Sequence, residues 1–97
     1  MKQVRTTAYY DAFERSLKDL AARARIQARI QRLAMGNPGD HRLLRKGVCE
    51  LRIDVGPGYR VYYTERDENT VVILLAGGDK SSQATDIERA CRLVDRI

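Results

Sequence analysis

Arg52, Arg60, Tyr62 and Lys80 are the residues whose types and spacing best suit chemistry on a phosphate. Around them the side chains alternate. Leu51, Ile53 and Val55 interleave with Glu50, Arg52 and Asp54, and Tyr59, Val61 and Tyr63 interleave with Arg60, Tyr62 and Thr64. Such a period of two predicts a β-hairpin. A three-residue loop, Gly56-Pro57-Gly58, sets Val55 opposite Tyr59, Arg52 opposite Tyr62 and Asp54 opposite Arg60. Glu50, Arg52, Asp54, Arg60, Tyr62 and Thr64 then share the face turned away from the core. Lys80 follows Gly77-Gly78, expected to break the sheet where the chain leaves it. Two guanidiniums, a lysine and a tyrosine on one concave face can neutralise a nucleic-acid backbone and stack on a base. The same residues also fit a solvated sheet face on which Arg60–Asp54 is an ordinary cross-strand pair.

Positive charge is concentrated upstream. The net charge is +5, yet residues 23–46 alone carry Arg23, Arg25, Arg29, Arg32, Arg42, Arg45 and Lys46 against Asp40. Arg25, Arg29 and Arg32 fall at helical spacing on one stripe. Arg42, Arg45 and Lys46 sit in the stretch before the hairpin. Arginine forks onto phosphate better than lysine does, so the stripe is a candidate RNA- or protein-contacting surface and the loop cations a candidate clamp on a nucleic-acid backbone. A solvated helix face whose arginine stems cover apolar rims is the other reading of the stripe. His41 has a pKa suited to proton transfer, but a lone histidine beside a turn is more often a surface residue.

Other chemistries lack their residues. Two cysteines far apart and one histidine supply neither a structural zinc set nor a disulfide framework. No GxSxG accompanies His41, and neither glycine-rich turn fits a P-loop or a dinucleotide fingerprint. No metal or cofactor is expected.

The elements that must position these residues follow from periodicity. Gln3–Thr7 reads as a short strand. Phe13, Leu17 and Leu20 form one helical stripe, and Ile26, Ile30 and Leu33 form a second, rotated by roughly 220° from the first. One straight helix cannot bury both, which predicts a break near Asp19–Arg23 and a helical hairpin. Gly36-Asn37-Pro38-Gly39 ends the second helix. After the first β-hairpin, a turn at Asp67-Glu68-Asn69 leads into Val71–Ala76, apolar without alternation, as in a central strand covered on both sides. A last helix from Ser81 or Ser82 turns Ile87, Ala90, Cys91 and Val94 inward. The order is β-α-α-β-β-β-β-α: one α+β domain over residues 1–97, with helices packed on a mainly antiparallel sheet. No apolar run approaches membrane-spanning length, and the N-terminus lacks the apolar segment of a signal peptide, so a cytoplasmic protein is expected.

The run Gly47-Val48-Cys49-Glu50-Leu51-Arg52-Ile53-Asp54-Val55-Gly56-Pro57-Gly58-Tyr59-Arg60-Val61-Tyr62-Tyr63 resembles the signature of RelE/ParE-superfamily toxins. It is most similar to the HigB-like "addiction module killer" subgroup. Leu74 to Gln83, then Asp86, Ile87 and Ala90, and the loop Gly36 to Asp40 extend the likeness over nearly the whole chain. The resemblance implies a type II toxin that enters the ribosome and cuts mRNA, helping a 2′-hydroxyl attack the adjacent phosphate. It assigns Arg60 as the strand arginine of the active site, Lys80 as a cation near it, and Arg52 as one of two strand cations. Glu50 stands where the other strand lysine falls, as a general base or a group that tunes Arg52. Asp86 stands near a tyrosine position that Tyr62 can replace. The implied partners are the ribosome, mRNA and a DNA-binding antitoxin from a neighbouring gene, held in a hetero-oligomer. A ParE-like gyrase inhibitor keeps the same fold without cutting RNA, and a non-catalytic nucleic-acid-binding domain explains the basic block alone.

Overall fold

Thr7 joins the first strand to the first helix as the helix's N-cap. Its Oγ1 accepts from the Tyr10 N–H and donates to the Leu75 carbonyl at 2.6 Å, which fixes the helix on the sheet. In the computed structural model, which describes residues 1–97, β1 (Gln3–Thr6) is followed by α1 (Ala8–Ser16) and α2 (Leu20–Ala34). The strands β2 (His41–Leu43), β3 (Cys49–Ile53), β4 (Tyr59–Arg66) and β5 (Val71–Gly78) come next. A 3-10 turn, Lys80–Ser82, leads into α3 (Gln83–Val94). The sheet order is β1-β5-β4-β3-β2, with β1 parallel to β5 and every other pair antiparallel.

The helical hairpin forms, but it breaks at Leu17–Asp19, slightly before the expected position. Asp19 caps α2 by accepting from the Ala21 and Ala22 N–H groups. The Arg23 guanidinium closes the end of α1 by donating to the carbonyls of Glu14 and Leu17. Leu17 stays buried while Leu20 is 73% exposed, so the first apolar stripe ends at Leu17.

Two cores flank the sheet. On one face Tyr10, Leu17, Ile26 and Leu33 pack on Leu51, Ile53, Val61, Tyr63, Val72 and Leu74. On the other, Ala90 and Cys91 of α3 pack on Val48, Tyr62, Leu75 and Ala76. β5 is therefore covered on both sides, as its unbroken apolar run requires. The face expected to be open is covered along half its length, because the apolar stripe of α3 needs a partner there. Glu50, Tyr62 and Thr64 are buried beneath that helix.

The β3–β4 register also differs from expectation. Ile53 pairs with Tyr59, Arg52 with Arg60 and Glu50 with Tyr62, so the loop spans five residues, 54–58. Gly56 and Gly58, at φ +55° and +82°, turn the chain inside that loop, and Val55 leaves the ladder. Asp54 is thus not the cross-strand partner of Arg60. Two arginines face each other instead, an arrangement that needs carboxylates nearby. Gly77 and Gly78 do not break β5 but complete it. A Cβ at Gly77 would strike the Phe13 ring, and one at Gly78 would strike the Asp86 carboxylate. Both cysteines are free, and no group of three or more His, Cys, Asp or Glu side chains is placed to hold a metal ion.

Tyr10, Tyr62 and Tyr63 are among the largest buried side chains, and burial raises the pKa of each phenol above its ordinary value. Because the folded-state pKa is raised, their contribution to stability is complete below about pH 10 and is lost as pH climbs through the raised values. Urea midpoints should therefore hold between pH 8 and 9.5 and fall steeply above pH 10.5. A flat profile to pH 11.5 would contradict the burial of these hydroxyls.

Candidate functional site

Arg52, Arg60 and Lys80 come from β3, β4 and the turn after β5, yet they line one open cleft of about 430 Å³. Asp40, Ile53, Asp54 and Gly58 complete its walls. The strand pairs do the gathering. Arg52 lies opposite Arg60, and Arg60 lies opposite Gly78, two residues before Lys80.

Each cation is held differently. Arg60 keeps only 14% of its side chain exposed, and its Nη1 donates to the Gly58 carbonyl at 2.8 Å. Arg52 is half-buried and pairs with the Asp40 carboxylate at 2.8 Å. That carboxylate is in place because the Arg52 N–H donates to the Asp40 carbonyl. Lys80 is exposed and has no acidic partner. The cleft therefore presents one anchored guanidinium, one shared with a carboxylate, and one free ammonium.

Glu50 and Tyr62 lie behind this cleft rather than in it. Glu50 has no solvent exposure. Its Oε2 accepts from Gln83 Nε2 at 2.7 Å and lies 4.0 Å from Arg60 Nε, while Arg42 approaches Oε1 at 3.5 Å. A carboxylate so enclosed orients Arg60 but is not placed to take a proton from a molecule in the cleft. Tyr62 is buried opposite it, so its ring is no platform for an incoming base. Its phenol is pushed up first by burial and then by the charges of Glu50 and Asp86. The expectation of a stacking tyrosine and of a proton-transferring Glu50 is corrected by the packing of α3.

The basic block is mostly spent within the molecule. Arg29 donates to the carbonyls of Arg52, Pro38 and Asp40 at 2.6, 2.9 and 3.0 Å, tying the turn after α2 to β3. Burial, then the neighbouring Arg32, draws its pKa below the ordinary guanidinium value. Arg42 meets Glu50, Arg45 meets Glu88 at 2.8 Å and Lys46 meets Asp95 at 2.9 Å. The last two pairs fasten the loop after β2 to α3. Only Arg25 and Arg32 of the expected contact residues are exposed and unpaired. His41 rests its Nδ1 against the Gly39 carbonyl at 2.8 Å. Sequence reasoning missed Asp40, which shares Arg52, and Gln83, which holds Glu50. Asp40 is the sole acid of the basic block, and Gln83 lies inside the motif that carries the resemblance.

Comparison with known proteins agrees with this architecture. The family model described as "Phage derived protein Gp49-like (DUF891)" matches residues 11–94. An uncharacterized protein of Haemophilus influenzae is 47% identical over 95 residues, covering 98% of this chain and 95% of that one. Among solved structures, a mutant of the Escherichia coli toxin RelE in the free state superposes with a TM-score of 0.74 at 17% identity, covering 95% of this chain and 96% of that chain. The intact E. coli RelBE toxin–antitoxin complex gives a TM-score of 0.66 at 19% identity, covering 81% and 96%. The fold is thus that of RelE, an α+β sheet with the same order of elements.

The two roles assigned to the helix-2 arginines separate by stability. Arg29→Ala should cost about 2–4 kcal/mol, since three carbonyls lose a charged donor, whereas Arg25→Ala should change stability by no more than about 0.5 kcal/mol. Chemical denaturation of the two variants checks it; equal midpoints would deny Arg29 its tie.

Proposed function

The chain belongs to the phage-derived Gp49-like family, and we propose that it is the toxin of a type II toxin–antitoxin module, a ribosome-dependent mRNA endoribonuclease. The observation that carries this reading is the meeting of Arg52, Arg60 and Lys80 in one cleft open to solvent. Within the RelE/ParE superfamily we place it beside the HigB-like killers, on the motif from Gly47 to Tyr63.

The reaction that suits this cleft needs no cofactor. The ribose 2′-oxygen loses its proton and attacks the adjacent phosphorus, the bond from phosphorus to the 5′-oxygen breaks, and the departing oxygen takes a proton from water, leaving a cyclic phosphate and a 5′-hydroxyl. Charge builds on the non-bridging oxygens in the transition state, and fixed cations there lower its energy. Arg60 is the best fixed of the three, because Glu50 and Gly58 hold it from behind and beside. Arg52 supports the same phosphate, and Lys80 meets the RNA without first leaving a carboxylate. Asp40 and Asp54 are the carboxylates in the cleft walls able to accept the 2′-hydroxyl proton. Arg25 and Arg32 serve affinity for the ribosome. The partners are the ribosome, mRNA and a DNA-binding antitoxin encoded beside it, and the compartment is the cytoplasm. An excess of positive charge favours an acidic antitoxin segment and speeds its capture.

Primer extension of mRNA on programmed ribosomes should reveal cuts with the wild-type chain. Arg60→Ala should cut on the order of 10²–10³ more slowly, the usual effect of losing one positioned electrostatic group. A folded Arg60→Ala protein with full activity would refute the assignment. A gyrase supercoiling assay run alongside decides the class: inhibition there with intact mRNA would replace cleavage by gyrase poisoning.

Binding to ribosomes should weaken with salt in proportion to the phosphates neutralised. The double change Arg25→Glu, Arg32→Glu should lower affinity and flatten the salt slope. An unchanged slope in a filter-binding series would leave both arginines as plain surface.

A further inference from the structure

A second cleft, of about 490 Å³, lies against the first, and the Arg60–Gly78 strand pair divides them. Tyr59 and Asp79 line this cleft, while their chain neighbours Arg60 and Lys80 line the cationic one. One part of its wall is apolar, made by Phe13 and Leu17 from the helical hairpin and Tyr59 from the start of β4, and the rest is polar, with Ser16, Lys18, Asp19, Asp79 and Ser82. The Phe13 and Tyr59 rings meet edge to face with centroids 6.2 Å apart. Phe13 can lie flat on the sheet only because residue 77 is glycine. Flat aromatic walls beside a phosphate site suit a nucleobase, whose rings stack on aromatic side chains.

Asp79 supplies the polar edge. Its Oδ1 accepts from the Ser81 and Ser82 N–H groups and from the Ser81 hydroxyl. Its Oδ2 accepts nothing from the protein. The Ser81 hydroxyl holds this carboxyl below the usual carboxylate range, so the free oxygen is a charged acceptor. We propose that this cleft is a nucleobase subsite, in which Phe13, Leu17 and Tyr59 enclose the ring and Asp79 Oδ2 accepts from an exocyclic amino group. The proposal rests on the reading of the cationic cleft as the place of an RNA phosphate. One nucleotide then spans the divide, its phosphate on Arg60 and Lys80 and its base beside Tyr59. Cytosine and uracil separate the polar term from stacking, because they are rings of one size whose polar edges differ, an amino group at C4 beside an acceptor N3 in one and a carbonyl oxygen at C4 beside an N3–H in the other.

Trinucleotides of 2′-O-methyl cytidine and of 2′-O-methyl uridine test this, since the blocked hydroxyl prevents cleavage. Titrated into the labelled full chain and followed by NMR, the cytidine probe should shift the Phe13 and Tyr59 ring signals. It should bind about tenfold more tightly than the uridine probe, the worth of one hydrogen bond to a charged acceptor. Asp79→Asn gives the sharper outcome. The cap keeps the amide oxygen on Ser81 and Ser82, which turns the amide NH₂ to where Oδ2 stood, a donor replacing an acceptor. The cytidine preference should vanish or reverse in favour of uridine. Silent Phe13 and Tyr59 signals, equal affinity for both probes, or an unchanged ratio in Asp79→Asn would each overturn the subsite. The ribosome assay reports separately. Cut mRNA with silent rings discards the subsite alone, and base-dependent binding with intact mRNA discards cleavage alone.

Discussion

A carboxylate without access to water needs cations or donors around it, and Glu50 draws them from three elements. Arg60 reaches it from β4, Arg42 from β2 and Gln83 from α3. Removing one partner from such a buried charge costs far more than the pair is worth in water, so the three elements are held to one mutual arrangement. Arg60 gains most from this. Its Nη1 donates to the Gly58 carbonyl and its Nε faces Glu50 at 4.0 Å, so its direction at the floor of the cleft is set before a phosphate arrives. The same charge offsets the repulsion between Arg60 and Arg52, which the register sets face to face. The balance is tight: Glu50 Oε1, Arg60 Nε and Tyr62 Oη, all buried, have no hydrogen-bond partner.

The sheet carries two cores because β5 is apolar on both faces. The helical hairpin takes one face and α3 the other, and they meet the sheet end where β4 begins and β5 stops through Phe13 and Asp86. Both clefts open at that end. The glycines there are not loose connections. Gly77 admits Phe13, Gly78 admits Asp86, and Gly58 bends the loop so that its carbonyl meets Arg60. Small residues at the sheet's rim thus let larger functional groups converge.

Much of this architecture is legible in the residues. The change of period at His41, the rotation between the Phe13 and Ile26 stripes, and the unbroken Val71–Ala76 run lead to the element order that the chain adopts. The convergence of Arg52, Arg60 and Lys80 also follows from alternation and turns. What the residues conceal is what lies over a face. Tyr62 and Glu50 occupy positions of polar parity in the strand, and only the approach of α3 buries them. The five-residue loop is hidden because Val55 looks like the next apolar step in β3, while its backbone has already turned. The helix-2 arginines show the same limit. Arg25, Arg29 and Arg32 are equivalent in a helical wheel, yet only Arg29 lies over three carbonyls that lack other donors of its charge.

The parallel pairing of β1 with β5 sets an order of events. Gln3 lies beside Val71, and Thr7, which caps α1, donates a hydrogen bond from its hydroxyl to the Leu75 carbonyl. β1 therefore waits for β5, the only strand it pairs with, although β5 comes last in the order of strands. Closing so long a loop delays folding relative to local helix formation. Lys80 and Gln83 come later still in the chain than β5. At chain elongation rates of roughly 5–20 residues per second, several seconds pass in which most of the chain exists and the cleft does not. The cleft thus exists only once the segment through Gln83 has been made, and no shorter stretch brings its three cations together with Glu50 held.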